Sequence, residues 1–271
     1  MKLAATFLTT TAIVLATSAM AADLLPTYKA APAPTMTVAP YSWTGFYIGV
    51  GGGASFLNVP SSSDSYMHDY NNGFNAFGGE RSDLGKFAAF GTIEVGADYQ
   101  MGQFVVGAFT DFDLRSLKAK GASRAAAYCN NGNCTNTVAY HSVWYKVNNA
   151  WDAGLRLGYL VTDRNLLYLL GGYSGANVSS GARLDQYANN GNYHHWVSSS
   201  QSSWKSGYLL GAGWQTAITD HISLKTEYRY ENYGSAKSSY SYANNPYYYG
   251  GARQSGDVTV QSIRAVLDYK F

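Results

Sequence analysis

Apolar and polar residues alternate with a period of two along much of the chain, and this alternation marks out eight candidate strands. The first, from about Ser42 to Phe56, sets Phe46, Ile48, Val50 and Ala54 against Gly45, Tyr47, Gly49, Gly51 and Gly53. The second sets Ile93, Val95, Ala97 and Tyr99 against Thr92, Glu94, Gly96 and Asp98, and the third sets Phe104, Val106, Ala108 and Phe112 against Gly107, Phe109, Asp111 and Asp113. Trp151, Leu155, Leu157 and Tyr159 oppose Asp152, Gly154, Arg156 and Gly158 in the fourth; Leu167, Leu169 and Tyr173 share a face of the fifth. The sixth places Tyr208, Leu210, Ala212 and Trp214 opposite Gly207, Gly211, Gly213 and Gln215. The seventh is the cleanest, with Ile222, Leu224, Thr226, Tyr228 and Tyr230 against Ser223, Lys225, Glu227, Arg229 and Glu231. The eighth closes the sequence with apolar groups at Ile263, Ala265, Leu267, Tyr269 and Phe271.

Alternation alone is common to soluble sandwiches and membrane barrels, so the placement of charge decides. Charges fall on the glycine-bearing faces, and such faces mark close backbone approach. A narrow barrel turns that face inward and its aliphatic and aromatic face to lipid. Lys225, Glu227, Arg229, Glu94, Asp111, Arg156, Arg264 and Asp268 are therefore expected to form a paired network in the interior. Connections are expected to be long at about 57–89, 115–146, 175–205 and 232–257 and short at 101–103, 161–165 and 219–220. That rhythm suits an eight-stranded antiparallel transmembrane β-barrel with short periplasmic turns and four long extracellular loops.

The amino-terminal segment agrees with export. Lys2, the apolar run around Leu8, Ile13, Val14 and Leu15, and Ala19-Met20-Ala21 read as a signal peptide over 1–21. Residues 22–41, with Pro26, Pro32, Pro34 and Pro40, read as an extended Pro/Ala-rich periplasmic linker, leaving 42–271 as the barrel. Charged residues are 13% of the chain, against ~25% in an ordinary soluble domain, while Tyr (24) and Gly (29) are abundant. No apolar run beyond the signal is long enough for a helical span. The near-neutral charge balance argues against a nucleic-acid partner.

Tyr41-Ser42-Trp43-Thr44-Gly45-Phe46-Tyr47-Ile48-Gly49, Gly207-Tyr208-Leu209-Leu210-Gly211-Ala212-Gly213, Lys225-Thr226-Glu227-Tyr228-Arg229-Tyr230 and Leu267-Asp268-Tyr269-Lys270-Phe271 together carry a resemblance. The chain resembles, over residues 22–271, the small outer-membrane immunogenic or opacity-type "porin family" proteins of alphaproteobacteria. The resemblance implies an OmpA- or OmpX-like barrel in the outer membrane that acts as a surface antigen rather than an enzyme. It also implies contact with outer-membrane lipid and lipopolysaccharide, and with host or surface ligands through the loops; some members bind haemin. In barrels of this kind the final strand carries an assembly signal for the barrel-assembly machinery, here Leu267, Tyr269 and Phe271 on one face.

Other candidates are weaker. Cys129 and Cys134 enclose a turn-forming tetrapeptide and read as a loop-closing disulfide in an oxidising compartment. A metal site using both thiolates and His141 would lack a fourth ligand. His194 and His195, beside Tyr193 and Trp196, offer imidazoles to haem but point oppositely in an extended segment. His221, Ser223 and Glu227 superficially resemble the His-x-Ser arrangement of lipid A deacylase barrels, but at a periplasmic turn, on the wrong side of the membrane for that chemistry. The expectation is a non-enzymatic surface barrel with no cofactor, metal or catalytic residue; the alternatives are a small-solute channel and a haemin-binding protein. Eight strands leave an interior that side chains just fill, which disfavours the channel.

Overall fold

The computed structural model describes residues 40–69, 74–129, 137–188, 194–245 and 248–271. The expected signal peptide, most of the expected linker and Cys134 lie outside these residues. β1 (Gly45–Asp69), β2 (Phe74–Met101), β3 (Phe104–Leu114), β4 (Leu117–Cys129), β5 (Thr137–Thr162), β6 (Asn165–Ala188), β7 (His194–Ala217), β8 (Ile222–Asn245) and β9 (Tyr248–Lys270) form one antiparallel sheet. It closes on itself where β1 pairs both β2 and β9. β3 and β4 both pair β5 and are one stave interrupted at Arg115-Ser116, so the ring has eight staves.

All eight expected strands coincide with these staves, the first beginning at Gly45 rather than about Ser42, but the staves run much further outward. Over the described residues, the segments expected as long loops are paired β-structure: β1 continues to Asp69, and β5 and β6 stay paired, across a register shift at Val147/Ala150, up to Thr137↔Ala188. Pro60, expected outside any strand, lies within β1. The β1–β9 ladder lapses between Asn58↔Thr259 and Ser61↔Gly256, so the missing proline N–H breaks no bond there.

One belt of the outer surface is apolar. Ile48, Val50, Ile93, Val95, Val106, Leu155, Leu157, Leu169, Leu210, Leu224, Ile263 and Leu267 are all exposed. Aromatic rings border it on both sides: Phe104 and Tyr159 (centroids 5.6 Å apart) and Tyr269 and Phe271 (5.3 Å) at the turn end, Trp151 and Tyr173 (5.8 Å) at the other. From Trp151 to Val161 on β5 this belt spans ~25 Å at the usual strand rise and tilt, the height of a lipid-facing band.

Beyond the belt the closed ring opens into two layers. β7 pairs β8 only from Tyr208↔Asn232 to Ala217↔Ser223, then follows β6 while β8 follows β9. On the opposite side, among the described residues, β2 and β4 are paired only at Phe74–Phe77 with Ala126–Cys129. The outer halves of β8, β9, β1 and β2 thus face those of β4, β5, β6 and β7. Between them lies a dry core of Leu57, Val59, Leu117, Val143, Tyr145, Val147, Val178, Tyr233, Val258 and Val260. At the ring's closing seam a Cβ on Gly51 would strike the Ala265 carbonyl oxygen, so β1 can approach β9 this closely only with glycine there.

Candidate functional site: a charge-filled barrel beneath a two-layered outer surface

The interior is stratified, beginning with the turn end. Tyr41 and Trp43 enter the mouth ahead of β1 and are buried among Val105, Leu160, Leu166, Leu209 and Ala217. Trp43 Nε1 donates to the Asp163 carbonyl (3.1 Å), and its backbone N–H donates to Gln100 Oε1 (2.8 Å). Lys270 Nζ sits 4.1 Å from the Tyr41 ring centroid and donates to the Ser42 carbonyl. Burial pushes the Tyr41 hydroxyl pKa up to about 12. Tyr41, expected at the end of a linker, therefore fills the mouth.

Within the belt every inward position alternates toward the axis, and the charges meet there. Arg156 binds Asp98 through Nε (2.8 Å) and Gln215 through Nη1 (3.0 Å), with its guanidinium 4.9 Å from the Tyr47 ring and 5.2 Å from Tyr168. Gln215 Nε2 donates to Asp268 Oδ2 (3.0 Å), which lies 3.4 Å from Lys225 Nζ; Lys225 also donates to Glu94. Arg229 is the hub, reaching Glu227 (2.7 Å), Asp111 (2.7 Å), Asp152 (3.4 Å) and Glu94 (3.5 Å). Arg264 joins Asp111 (3.3 Å) to Asp113 (2.9 Å), and Arg115 joins Asp113 to Glu231 and Tyr233. Tyr168 donates to Glu227 (2.7 Å). None of these groups reaches solvent in any quantity. Each charge has a partner, as a buried ion requires.

The structure brings Lys225, Glu227, Arg229, Arg156, Glu94, Asp111, Arg264 and Asp268 into this one network. Asp98, Asp113, Asp152, Glu231, Gln215, Arg115, Tyr168 and Tyr233 are also members, and none of them is among the eight expected. Arg115 continues the inward series Asp111, Asp113 by the same period of two, but was assigned to a loop. Asp111, Asp113 and Asp152 have carboxylate oxygens within 4.8 Å of one another. Arg229 pairs with Asp111 and Asp152, and Arg264 with Asp111 and Asp113, so all three carboxylates already hold guanidinium partners.

The catalytic candidates are not assembled. His221 Nδ1 contacts the Lys270 carbonyl (2.9 Å) and its ring stacks on Tyr269 outside the wall. Ser223 points inward and accepts from Gln215 (2.8 Å). His141 is buried with Nδ1 3.4 Å from Ser63 Oγ. The Cys129–Cys134 pairing and the side chains of His194 and His195 lie outside the described residues. Phe271 is exposed, its backbone N–H donating to the Phe46 carbonyl (3.0 Å), and Leu267 and Tyr269 share its outward face.

A closed antiparallel ring with an apolar belt, aromatic borders and a filled polar interior defines a small outer-membrane β-barrel. The chain belongs to the outer membrane protein beta-barrel domain family, whose model matches residues 9–271. It is 31% identical over 266 residues to the 31 kDa outer-membrane immunogenic protein of Brucella melitensis, covering 96% of each chain. It is 24% identical over 258 residues to the 25 kDa outer-membrane immunogenic protein of Brucella abortus, covering 94% of this chain and 91% of that one. Among solved structures, the outer membrane protein OprG from Pseudomonas aeruginosa is similar at 13% identity and a TM-score of 0.38, covering 84% of this chain and 96% of that chain. The protein is accordingly located in the Gram-negative outer membrane.

Proposed function

We propose that this is a non-enzymatic surface protein, a rigid membrane stave that holds a large folded display above the outer leaflet, in contact with lipid and lipopolysaccharide. The observation that carries the reading is the filled interior. Arg229, Arg264, Lys225 and their carboxylates close the bore across the belt, and Tyr41 with Trp43 fills the mouth below. That supports a display role over a solute channel. The relatives named as immunogenic outer-membrane proteins support exposure of the display to the outside.

Planar-bilayer recording of the mature protein is expected to show no stable conductance steps, while protease or biotin applied to intact cells should reach the outer halves of the staves. Steady steps of porin size would sink the reading.

Assembly is proposed to depend on Leu267, Tyr269 and Phe271, read by the barrel-assembly machinery while the edge of β9 is still unpaired. Deleting Phe271 is expected to lower outer-membrane yield in cells strongly while leaving refolding into detergent nearly unchanged. Equal losses in both assays would assign Phe271 to stability instead.

A further inference from the structure

Where β7 and β8 part company above Tyr208↔Asn232, the outer surface carries a cleft of about 530 Å³. Its lining comes from four strands: Gln201 of β7, Lys237, Ser238 and Ser239 of β8, Arg253, Gln254 and Ser255 of β9, and Ser62 and Asp64 of β1. The ladder explains the convergence. Asp64, Arg253 and Ser239 lie in one cross-strand row, and Ser62, Ser255 and Lys237 lie in the next. The side chains of Ser62, Asp64, Lys237, Ser239, Arg253 and Ser255 all point outward into the cleft, while Ser238 and Gln254 alternate to the buried face of their strands. Among the described residues, Lys237 and Arg253 make no ion pair, so two cations without a carboxylate partner share one polar cleft.

We propose that this cleft binds an acidic saccharide, a sugar carrying a phosphate or carboxylate. Lys237 and Arg253 would take the anionic group, Asp64 would accept from sugar hydroxyls, and the Gln201 amide with the hydroxyls of Ser62, Ser239 and Ser255 would donate and accept around the ring. An extended peptide adding to the free edge of β8 is the rival occupant. Strand addition draws its specificity from side-chain pockets, and every residue lining this cleft is polar. Height points the same way. Arg253–Ser255 lie eight to ten residues beyond Ile263, the last large apolar residue of β9 to face lipid, or roughly 26–33 Å along the strand. That carries the cleft past the lipid head groups into the saccharide layer of the outer leaflet. The inference rests on the outward orientation in the proposed function, but not on the absence of a channel.

The test titrates the mature protein in detergent with phosphorylated core oligosaccharide released from lipopolysaccharide, with the same oligosaccharide after dephosphorylation, and with a sulfated host-type disaccharide. Binding of the phosphorylated core is expected, with at least a ten-fold loss on dephosphorylation and in each of Lys237→Ala and Arg253→Ala. Lys120→Ala, which removes an exposed cation on β4 outside the cleft, is expected to bind normally. Heat-modifiable gel mobility verifies that each variant is folded, and Lys237→Gln supplies a second variant with little change in volume. Tighter binding of the sulfated disaccharide would move the source from the bacterium's own leaflet to an external glycan while keeping the acidic-saccharide class. Failure of all three sugars to bind overturns the proposal, as does an equal loss in Lys120→Ala, which would indicate unspecific charge attraction. Binding of an unrelated extended peptide that is unaffected by all the cleft variants, with no sugar bound, would give the seam to strand addition instead.

Discussion

Lys225 and Val260 are both fully enclosed by the same wall, yet one is an ion and the other a hydrocarbon. The difference lies in what touches the outside of the wall at each height. In the belt the outer face meets lipid, so burial of apolar surface is already provided there, and the interior can hold charges provided they pair with one another. Above the belt the outer face meets water. Folding there must bury apolar surface between the two layers, as in a soluble sandwich. β9 shows the inversion along a single strand: Asp268 and Arg264 point inward with Leu267 and Ile263 outward, and further up Val260 and Val258 point inward with Thr259 and Asp257 outward. The phase of the side chains does not change. The polarity of each face does.

The sharpest way to break this comparison is to remove the hub of the charged layer. Arg229→Met leaves Glu227, Asp111 and Asp152 facing one another without their main cation, and is expected to cost ~3–5 kcal/mol of barrel stability. Urea titration followed by heat-modifiable gel mobility measures it; an unchanged midpoint would mean the interior charges are hydrated rather than mutually paired.

A cavity in the dry layer should cost nearly as much, but locally. Leu57→Ala, in a fully buried position, is expected to lose ~2–5 kcal/mol. The loss should appear as faster hydrogen exchange in the outer halves of β1 and β9, with the belt amides still protected.

The outer face offers a matched pair. Leu155→Lys, placed midway along the lipid-facing run of β5, is expected to destabilise by ~2–4 kcal/mol. Ser200→Lys, exposed on the outer half of β7, is expected to stay within ~0.5 kcal/mol of the parent. Similar costs at the two sites would erase the distinction between lipid-facing and water-facing walls.

The smallest expected effect is alkaline. Burial holds the Tyr145 hydroxyl of the dry layer up at about 12, above its ordinary value of 10.0, as it does for Tyr41 at the mouth. Both are neutral in folded and unfolded chains below pH 10. As pH rises from about 10 to about 12 only the unfolded chain ionises, so their contribution is full below 10 and is lost across that window. Phenolate absorbance should show Tyr41 and Tyr145 within a late-ionising set of buried tyrosines, and Tyr145→Phe should remove one member of that set.

The inversion also explains which parts of the fold were legible. Windows in which apolar residues occupy the outward positions, such as Ile222 to Tyr230, identified all eight staves and the inward charges. At the top of the belt the apolar set changes from odd to even positions on β9, from Ile263 and Leu267 to Val258 and Val260, and the pattern reads as lost although the strand continues. β5 differs: the inward Val143, Tyr145 and Val147 and the outward Leu155 all occupy odd positions, and a register shift at Val147/Ala150 turns those positions from inward to outward. The outer halves were therefore read as loops and Arg115 was missed. The cleft was illegible for another reason: its residues come together only across four strands, and serine and glutamine in isolation signal nothing.

The continuous pairing of the outer halves also decides what an antibody raised against this protein would contact. Along each of these strands only every second side chain is presented to the outside; the intervening ones are sealed in the dry layer. An antibody footprint on the intact surface therefore combines alternate residues from adjacent strands, such as Asp64, Arg253 and Ser239, which are remote in sequence. A synthetic peptide copied from one strand displays both faces at once, half of them never seen on a cell. Sera raised against such peptides should recognise the denatured chain on a blot far better than living bacteria.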